Sequence, residues 1–162
     1  MVERERLEEQ IGEVLGLEMA AAQKAVEELS EKGLMEKGGL KSKLQSMKKE
    51  AGDHQTRIEQ VMQELAESEG LDQQSIRQHA IETSQKTSQM MQIYLGEDPE
   101  TLDALEFLCL AEGGEVTHYE VLDELAKEVK DKKFASEVTS ILREEKQHLQ
   151  LCIQLARENS SG

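Results

Sequence analysis

Along much of the chain, apolar residues recur in alternating steps of three and four, the spacing of one face of an α-helix. One such stripe runs Leu7, Ile11, Val14, Glu18, Ala22, Ala25 and Leu29. A second runs Leu40, Leu44, Met47, Ala51, His54, Ile58, Val61 and Leu65, and another Phe134, Val138, Ile141, Glu145, His148, Cys152 and Leu155. The segment from Ser75 to Leu95 is the most polar, with only Ile76, Ala80, Thr83, Thr87, Met90 and Tyr94 in register. From Leu105 to Ala111 the chain is almost continuously apolar, so periodicity does not define an inner face there. Breaks at Gly33, Gly38, Gly39, Gly70, Gly96 to Pro99 and Lys130 to Lys133 divide the chain into five predicted helices, at 3–32, 40–69, 72–95, 99–129 and 132–158. Asp98 before Pro99 reads as an N-cap with proline in the first helical position. The expected architecture is all-α: one domain over 1–158, a four-helix bundle with 72–95 as an additional crossover helix outside it, and a frayed tail at 159–162.

Composition supports the helical reading. The 162 residues suffice for one well-cored domain, and Ala, Leu, Glu, Lys and Gln dominate. Aromatic residues are only 2% and Pro99 is the sole proline, too little for a β-sandwich or barrel of this length. Thirty-four acidic residues against nineteen basic give a net charge of −15, which excludes a general nucleic-acid binder and a basic membrane-surface helix. No apolar run approaches a membrane span, and the opening residues Met1 to Arg6 lack the apolar stretch of a signal peptide. A soluble cytoplasmic protein is expected. Cys109 and Cys152 are too few and too far apart for a disulfide framework or a zinc motif, and are expected as reduced, buried thiols.

Polar residues interrupt these apolar stripes at Glu18, His54, Glu145 and His148. A lone ionised carboxylate in an apolar core costs about several kcal/mol, so it must be neutralised, paired with a cation or bound to a metal. Glu145 and His148 stand three apart, and Glu50 precedes His54 by four, so each pair shares one side of its helix. The fourth helix offers Glu112, Glu115, His118 and Glu120 within three turns. One Glu, then Glu with His, then at least one Glu, then Glu with His is the ligand inventory of a carboxylate-bridged dinuclear metal site inside a four-helix bundle. Oxygen and nitrogen donors suit iron or manganese better than thiolate-seeking metals. Taken singly, each residue has a plainer role: a histidine hydrogen-bonded in the core, Glu18 paired with a lysine, Glu50 solvated beside Lys48 and Lys49.

Short motifs in the same order resemble the YciE/YciF-type family of the ferritin-like superfamily and, more distantly, the rubrerythrins. They are Asp98-Pro-Glu-Thr-Leu-Asp103 leading to Val116-Thr-His-Tyr-Glu-Val121, then Leu142-Arg-Glu-Glu-Lys146 followed by His148. Glu50-Ala-Gly-Asp-His54-Gln-Thr-Arg57-Ile-Glu59 resembles the family's second-helix motif, and Leu17-Glu18 its first-helix glutamate. The resemblance implies a ferritin-like bundle with a long crossover. It also implies Glu18, Glu50, His54, Glu120, Glu145 and His148 as metal ligands, with Glu115 and His118 as the further candidates. It favours Glu120 over Glu115, a choice periodicity does not make. The family usually carries a second acid three residues before the Glu120 equivalent, and here that position is Thr117.

The function implied is a dinuclear metal carboxylate protein holding two Fe ions (or Mn), stress-related, and reacting with dioxygen or hydrogen peroxide. His54 and His148 must be neutral to bind metal. Tyr119 either donates a hydrogen bond to the site or simply packs, packing being the commoner role, and Cys152 lies one turn beyond His148. Without a Cys-x-x-Cys pair, peroxidase turnover needs an external electron donor, whereas a catalase-like cycle does not. A homodimer is what the resemblance suggests. The alternative is a non-catalytic helical-bundle protein of stress response or interaction, with a vestigial or structural metal site. Iron storage would need a large hollow shell, of which the sequence gives no sign.

Overall fold

The computed structural model describes residues 3–36 and 39–161, so Gly38 and Gly162 lie outside the described residues. The fold is all-helical, with no strand among the described residues. Among the described residues six helices follow one another: α1 Arg4–Ala20, α2 Ala22–Glu31, α3 Leu40–Glu69, α4 Gln73–Leu95, α5 Thr101–Ala126 and α6 Lys132–Glu158. No described helix is long and apolar enough to cross a membrane.

Most boundaries follow local chemistry. Asp72 caps α4 by accepting from the Gln74 and Ser75 amides, and Asp131 caps α6 by accepting from the Lys133 and Phe134 amides. Gly70 ends α3 in the left-handed conformation, at φ 70°. The helix expected at 99–129 starts two residues later than Pro99, because the Glu100 amide donates to Asp103 Oδ2 (2.9 Å) and fixes Glu100 as the N-cap. It also ends earlier, at Ala126, where tighter turns carry the chain to Asp131. The helix expected over 3–32 is interrupted at Ala21, between α1 and α2. No glycine or proline causes this break; instead Gln23 Nε2 donates to the Glu18 carbonyl (2.7 Å) and to Gln55 Oε1 on α3 (3.0 Å). A side chain competing for a backbone acceptor is a recognised cause of a kink. At the other end, the Asn159 amide and side chain both donate to the Leu155 carbonyl, and Ser160 Oγ to that of Arg157.

Helix contacts form a closed ring, α1 to α5, α5 to α6, α6 to α3 and α3 back to α1. Helix α4 lies along α1. The close approach has a sequence cause: a Cβ at Gly16 would stand 2.5 Å from the Ala80 carbonyl oxygen, and one at Gly12 would stand 2.7 Å from that of Ile76. Two glycines four apart thus make a flat face on α1 that takes the backbone of α4.

The interior holds two apolar cores stacked along the helices. One includes Leu7 to Leu15, Ile58 to Leu65, Tyr119 to Ala126 and Phe134 to Leu142. The other includes Ala21 to Leu29, Leu40 to Met47, Leu105 to Ala111, Cys152 and Leu155. On every helix of the ring, the residues between these two cores carry buried polar side chains.

Candidate metal centre

Six polar side chains occupy the level between the two cores. Glu18 comes from α1, His54 from α3, Glu112 and Glu115 from α5, and Glu145 and His148 from α6; all six are buried. Each arrives by the same periodicity that builds the cores. On α5 the inward series is Leu105, Leu108, Glu112, Glu115, Tyr119, Leu122 and Ala126.

Glu145 is the shared vertex. Its Oε1 accepts from His54 Nδ1 at 2.6 Å, and its Oε2 lies 3.5 Å from His148 Nδ1. One oxygen of Glu18 stands 3.3 Å from His54 Nδ1 and accepts from the Tyr119 hydroxyl at 3.1 Å. The two imidazoles are stacked, their centroids 5.6 Å apart. Donor atoms of His54, Glu145 and His148 lie within 4.8 Å of one another, as do those of Glu18, Glu115 and Glu145. Two overlapping triads therefore meet at one carboxylate.

The outer nitrogens of both imidazoles face carboxylates nearer the surface. His148 Nε2 donates to Glu50, and His54 Nε2 lies 3.5 Å from Glu144 Oε2. Arg57 on α3 holds Glu144 from the other side, with Nη1 to Glu144 at 2.7 Å and Nε to Glu137 at 2.8 Å.

The protonation pattern follows from this crowding. Burial pushes the carboxyls of Glu18, Glu112 and Glu115 well above the usual range, and the Glu145 charge beside them pushes the same way. At Glu145 burial acts in that direction too. There the hydrogen bonds from His148 and His54 outweigh it and hold the carboxyl well below the usual range. For His148 burial opposes the charge, yet the Glu145 contact prevails and raises the imidazole to about 9; His54 moves upward for the same reasons.

Even so, the set does not satisfy itself. Glu18 Oε2, His54 Nε2, both oxygens of Glu112, Glu115 Oε1 and Glu145 Oε2 are buried without a hydrogen-bond partner among the described residues. Buried polar atoms are nearly always paired, and this concentration at one level, where Glu145 also stands within reach of Glu18 and Glu112, is a place that could hold an ion. The donors are all oxygen and imidazole nitrogen, a set that could hold a metal ion.

Of the ligands expected from sequence, the structure brings Glu18, His54, Glu145 and His148 together. It does not bring Glu120 there: that residue is half-exposed and pairs with Lys146 Nζ at 2.5 Å. One position on from buried Tyr119, Glu120 is rotated about 100° away from the interior. Glu115, ranked behind it, takes the inward place. Glu50 stands behind His148, with its side chain 47% exposed. His118 lies on the α1 side of α5, 2.9 Å from Glu13 and away from the cluster. Thr117, where the sequence resemblance leads to the expectation of an acid, is exposed and bonds its own helix, to the Gly113 carbonyl. Glu112 is one of the four candidates, with Glu115, His118 and Glu120, within three turns of α5. The signal that singles it out is the three–four alternation carried from Leu105 through to Tyr119. Tyr119 is a hydrogen-bond donor to the site, beyond packing. Cys152 is buried and free, with its Sγ 3.7 Å from Met47 Sδ, and Cys109 is free and partly buried.

Comparison with protein families, with curated proteins and with solved structures finds no match to this chain.

Proposed function

We propose that this chain is a ferritin-like four-helix bundle whose interior holds a dinuclear iron (or manganese) carboxylate centre. The bundle is α1–α2, α3, α5 and α6, with α4 as the additional helix outside it. The ligands are Glu18, His54, Glu112, Glu115, Glu145 and His148. The observation that carries this reading is the set of unpartnered buried carboxylate oxygens of Glu18, Glu112, Glu115 and Glu145 between two apolar cores. Such groups would cost about 1–3 kcal/mol each if left unsatisfied. A bound ion removes that cost.

The inventory is that of a dinuclear bundle site with one substitution of place. Four carboxylates and two imidazoles are present, as such a site requires. A second Glu-x-x-His motif would put a glutamate three residues before His54, and that position is the buried Ala51. Glu112, three before Glu115 on α5, restores the count. The raised carboxyls of Glu18, Glu112 and Glu115 and the raised imidazoles of His54 and His148 hold protons more tightly than free groups do, and such protons are the ones a bound cation would replace.

When bound, the metal pair supplies two-electron chemistry toward dioxygen or hydrogen peroxide. The chain's own residues do the rest. Glu145 faces both triads and bridges them. The Tyr119 hydroxyl orients Glu18, and Glu50 pairs with His148 Nε2, so that Nδ1, which faces Glu145, is the nitrogen that would hold an ion once its proton is lost. The two apolar cores exclude water from above and below. Activity of this kind would be part of a stress response, with an external electron donor where turnover is peroxidatic.

A non-catalytic role for the same ions is the second reading, favoured by Ala51, which alters the usual arrangement of bridging acids. Metal analysis of the purified protein, followed by near-ultraviolet absorbance after iron loading and addition of peroxide, tests both. About two ions per chain and a peroxide-dependent spectral change fit the redox centre. Two ions with no change fit the structural role, and a metal-free chain whose melting is unaltered by iron or manganese overturns both.

A further inference from the structure

One surface cavity reaches the edge of the buried cluster. Between α3 and α6 lies a cavity of about 360 Å³ lined by Glu50, Asp53, His54, Thr56, Arg57 and Glu144. His54 is the buried member of this wall, and its Nε2 has no hydrogen-bond partner among the described residues. The ring thus presents Nδ1 to the interior cluster and Nε2 to the cavity. Two other cavities, of about 310 and 280 Å³ beside α4, are lined by none of the six cluster residues.

Three carboxylates and one guanidinium give the cavity its electrostatics. Asp53 is exposed at its edge, and Glu50 and Glu144 are partly exposed. Arg57 spans its mouth from α3 to α6, donating to Glu144, to Glu137 and, from Nη2, to Ser140 Oγ at 3.0 Å. Its charge therefore occupies the position that an arriving cation would take against Glu144.

We infer that this cavity is the port through which divalent cations reach the buried centre. Asp53 draws the ion in, Glu50 and Glu144 receive it, and His54 is the hinge between cavity and cluster. Arg57 is the counter-charge that keeps the port closed until a divalent ion displaces it from Glu144. Lined by acids, a cleft raises the local concentration of cations and their rate of capture. The inference rests on the metal centre proposed above.

The test is the rate of loading, as distinct from the final occupancy. Metal-free full-length protein is mixed rapidly with Co²⁺, and visible d–d absorption follows coordination in the wild type, Arg57→Gln and Asp53→Asn. The port predicts opposite signs: loading several-fold faster in R57Q and several-fold slower in D53N, on the order of the steering expected of one charge. Final Co²⁺ content is the same in all three, and raising the ionic strength shrinks both differences. Unchanged rates at intact stoichiometry overturn the port and leave the centre standing. Slower loading in both variants, with lowered melting temperatures, assigns Arg57 and Asp53 a structural role and likewise overturns it. A wild type that binds no Co²⁺ overturns the centre itself.

Discussion

Glu145 Oε1 and His54 Nδ1 meet at 2.6 Å although the two residues stand 91 positions apart in the chain. The contact joins α6 to α3 at the level where both helices change from one apolar core to the other. It also makes Glu145 the one carboxylate common to both donor triads. Replacing it with glutamine keeps the volume and removes the charge. On the proposed centre, which would hold about two ions per chain, E145Q should lose both. Metal analysis after desalting reads the outcome, and retention of both ions would remove Glu145 from its bridging role.

The acids of α5 allow a sharper test. Glu115→Ala should lower metal content by about one ion or more, whereas Glu120→Ala should leave it at the wild-type value. Glu120 offers only a surface ion pair to Lys146, worth about 0–1 kcal/mol. Equal metal loss in the two variants, or loss confined to Glu120→Ala, would contradict the inward series on α5.

The metal-free protein should lose stability as the pH rises. The folded-state pKa of His148 is raised from 6.5 to about 9, so its contribution is complete below pH 6.5 and disappears as pH approaches 9. Glu18, Glu112 and Glu115 act in the same sense, since their raised values mean that folding favours their protonated forms. Glu145, held low, has the opposite sign and gives up its contribution only in acid. Thermal melts of metal-free protein from pH 6.5 to 9 should fall by on the order of 5–10 °C. Bound iron or manganese should flatten that slope, because it replaces the protons.

The glycines of α1 and α5 should respond oppositely to the same change. At Gly16 an added methyl meets the Ala80 carbonyl oxygen at 2.5 Å and Thr83 Cβ at 2.7 Å. G16A should cost about 1–3 kcal/mol through displacement of α4, more than alanine's helix preference returns. Gly113 has nothing within 4 Å of an added Cβ, so G113A should stabilise by up to about 1 kcal/mol. Denaturant melts of the two variants give both signs in one experiment.

How far the sequence foretold this structure depends on the helix. Over 40–69 the stripe, the glycines at either end and the buried histidine were all legible, and α3 has those bounds. Ala21 was not, because its break comes from a long-range bond between Gln23 and Gln55, which no local propensity encodes. Helix α5 failed for the converse reason. With both faces apolar near its start, the short motif around Tyr119 outweighed the periodicity, and Glu120 was preferred to its inward neighbours. Gly12 and Gly16 carried a packing signal that reads only once α4 is known to lie against them.

The presence of two buried acids on α5 has a consequence for assembly. Glu112, Glu115, Glu145 and His148 all belong to the hairpin of α5 and α6, which pack closely on each other. Four of the six donors are thus gathered by a single short connection, while Glu18 and His54 must come from the far end of the polypeptide. Closing the small loop costs less chain entropy than closing the large ones. On the proposed metal reading, a nascent chain that captured an ion on this hairpin would have a template onto which the amino-terminal half could fold, and metal supply would then set the yield of folded protein.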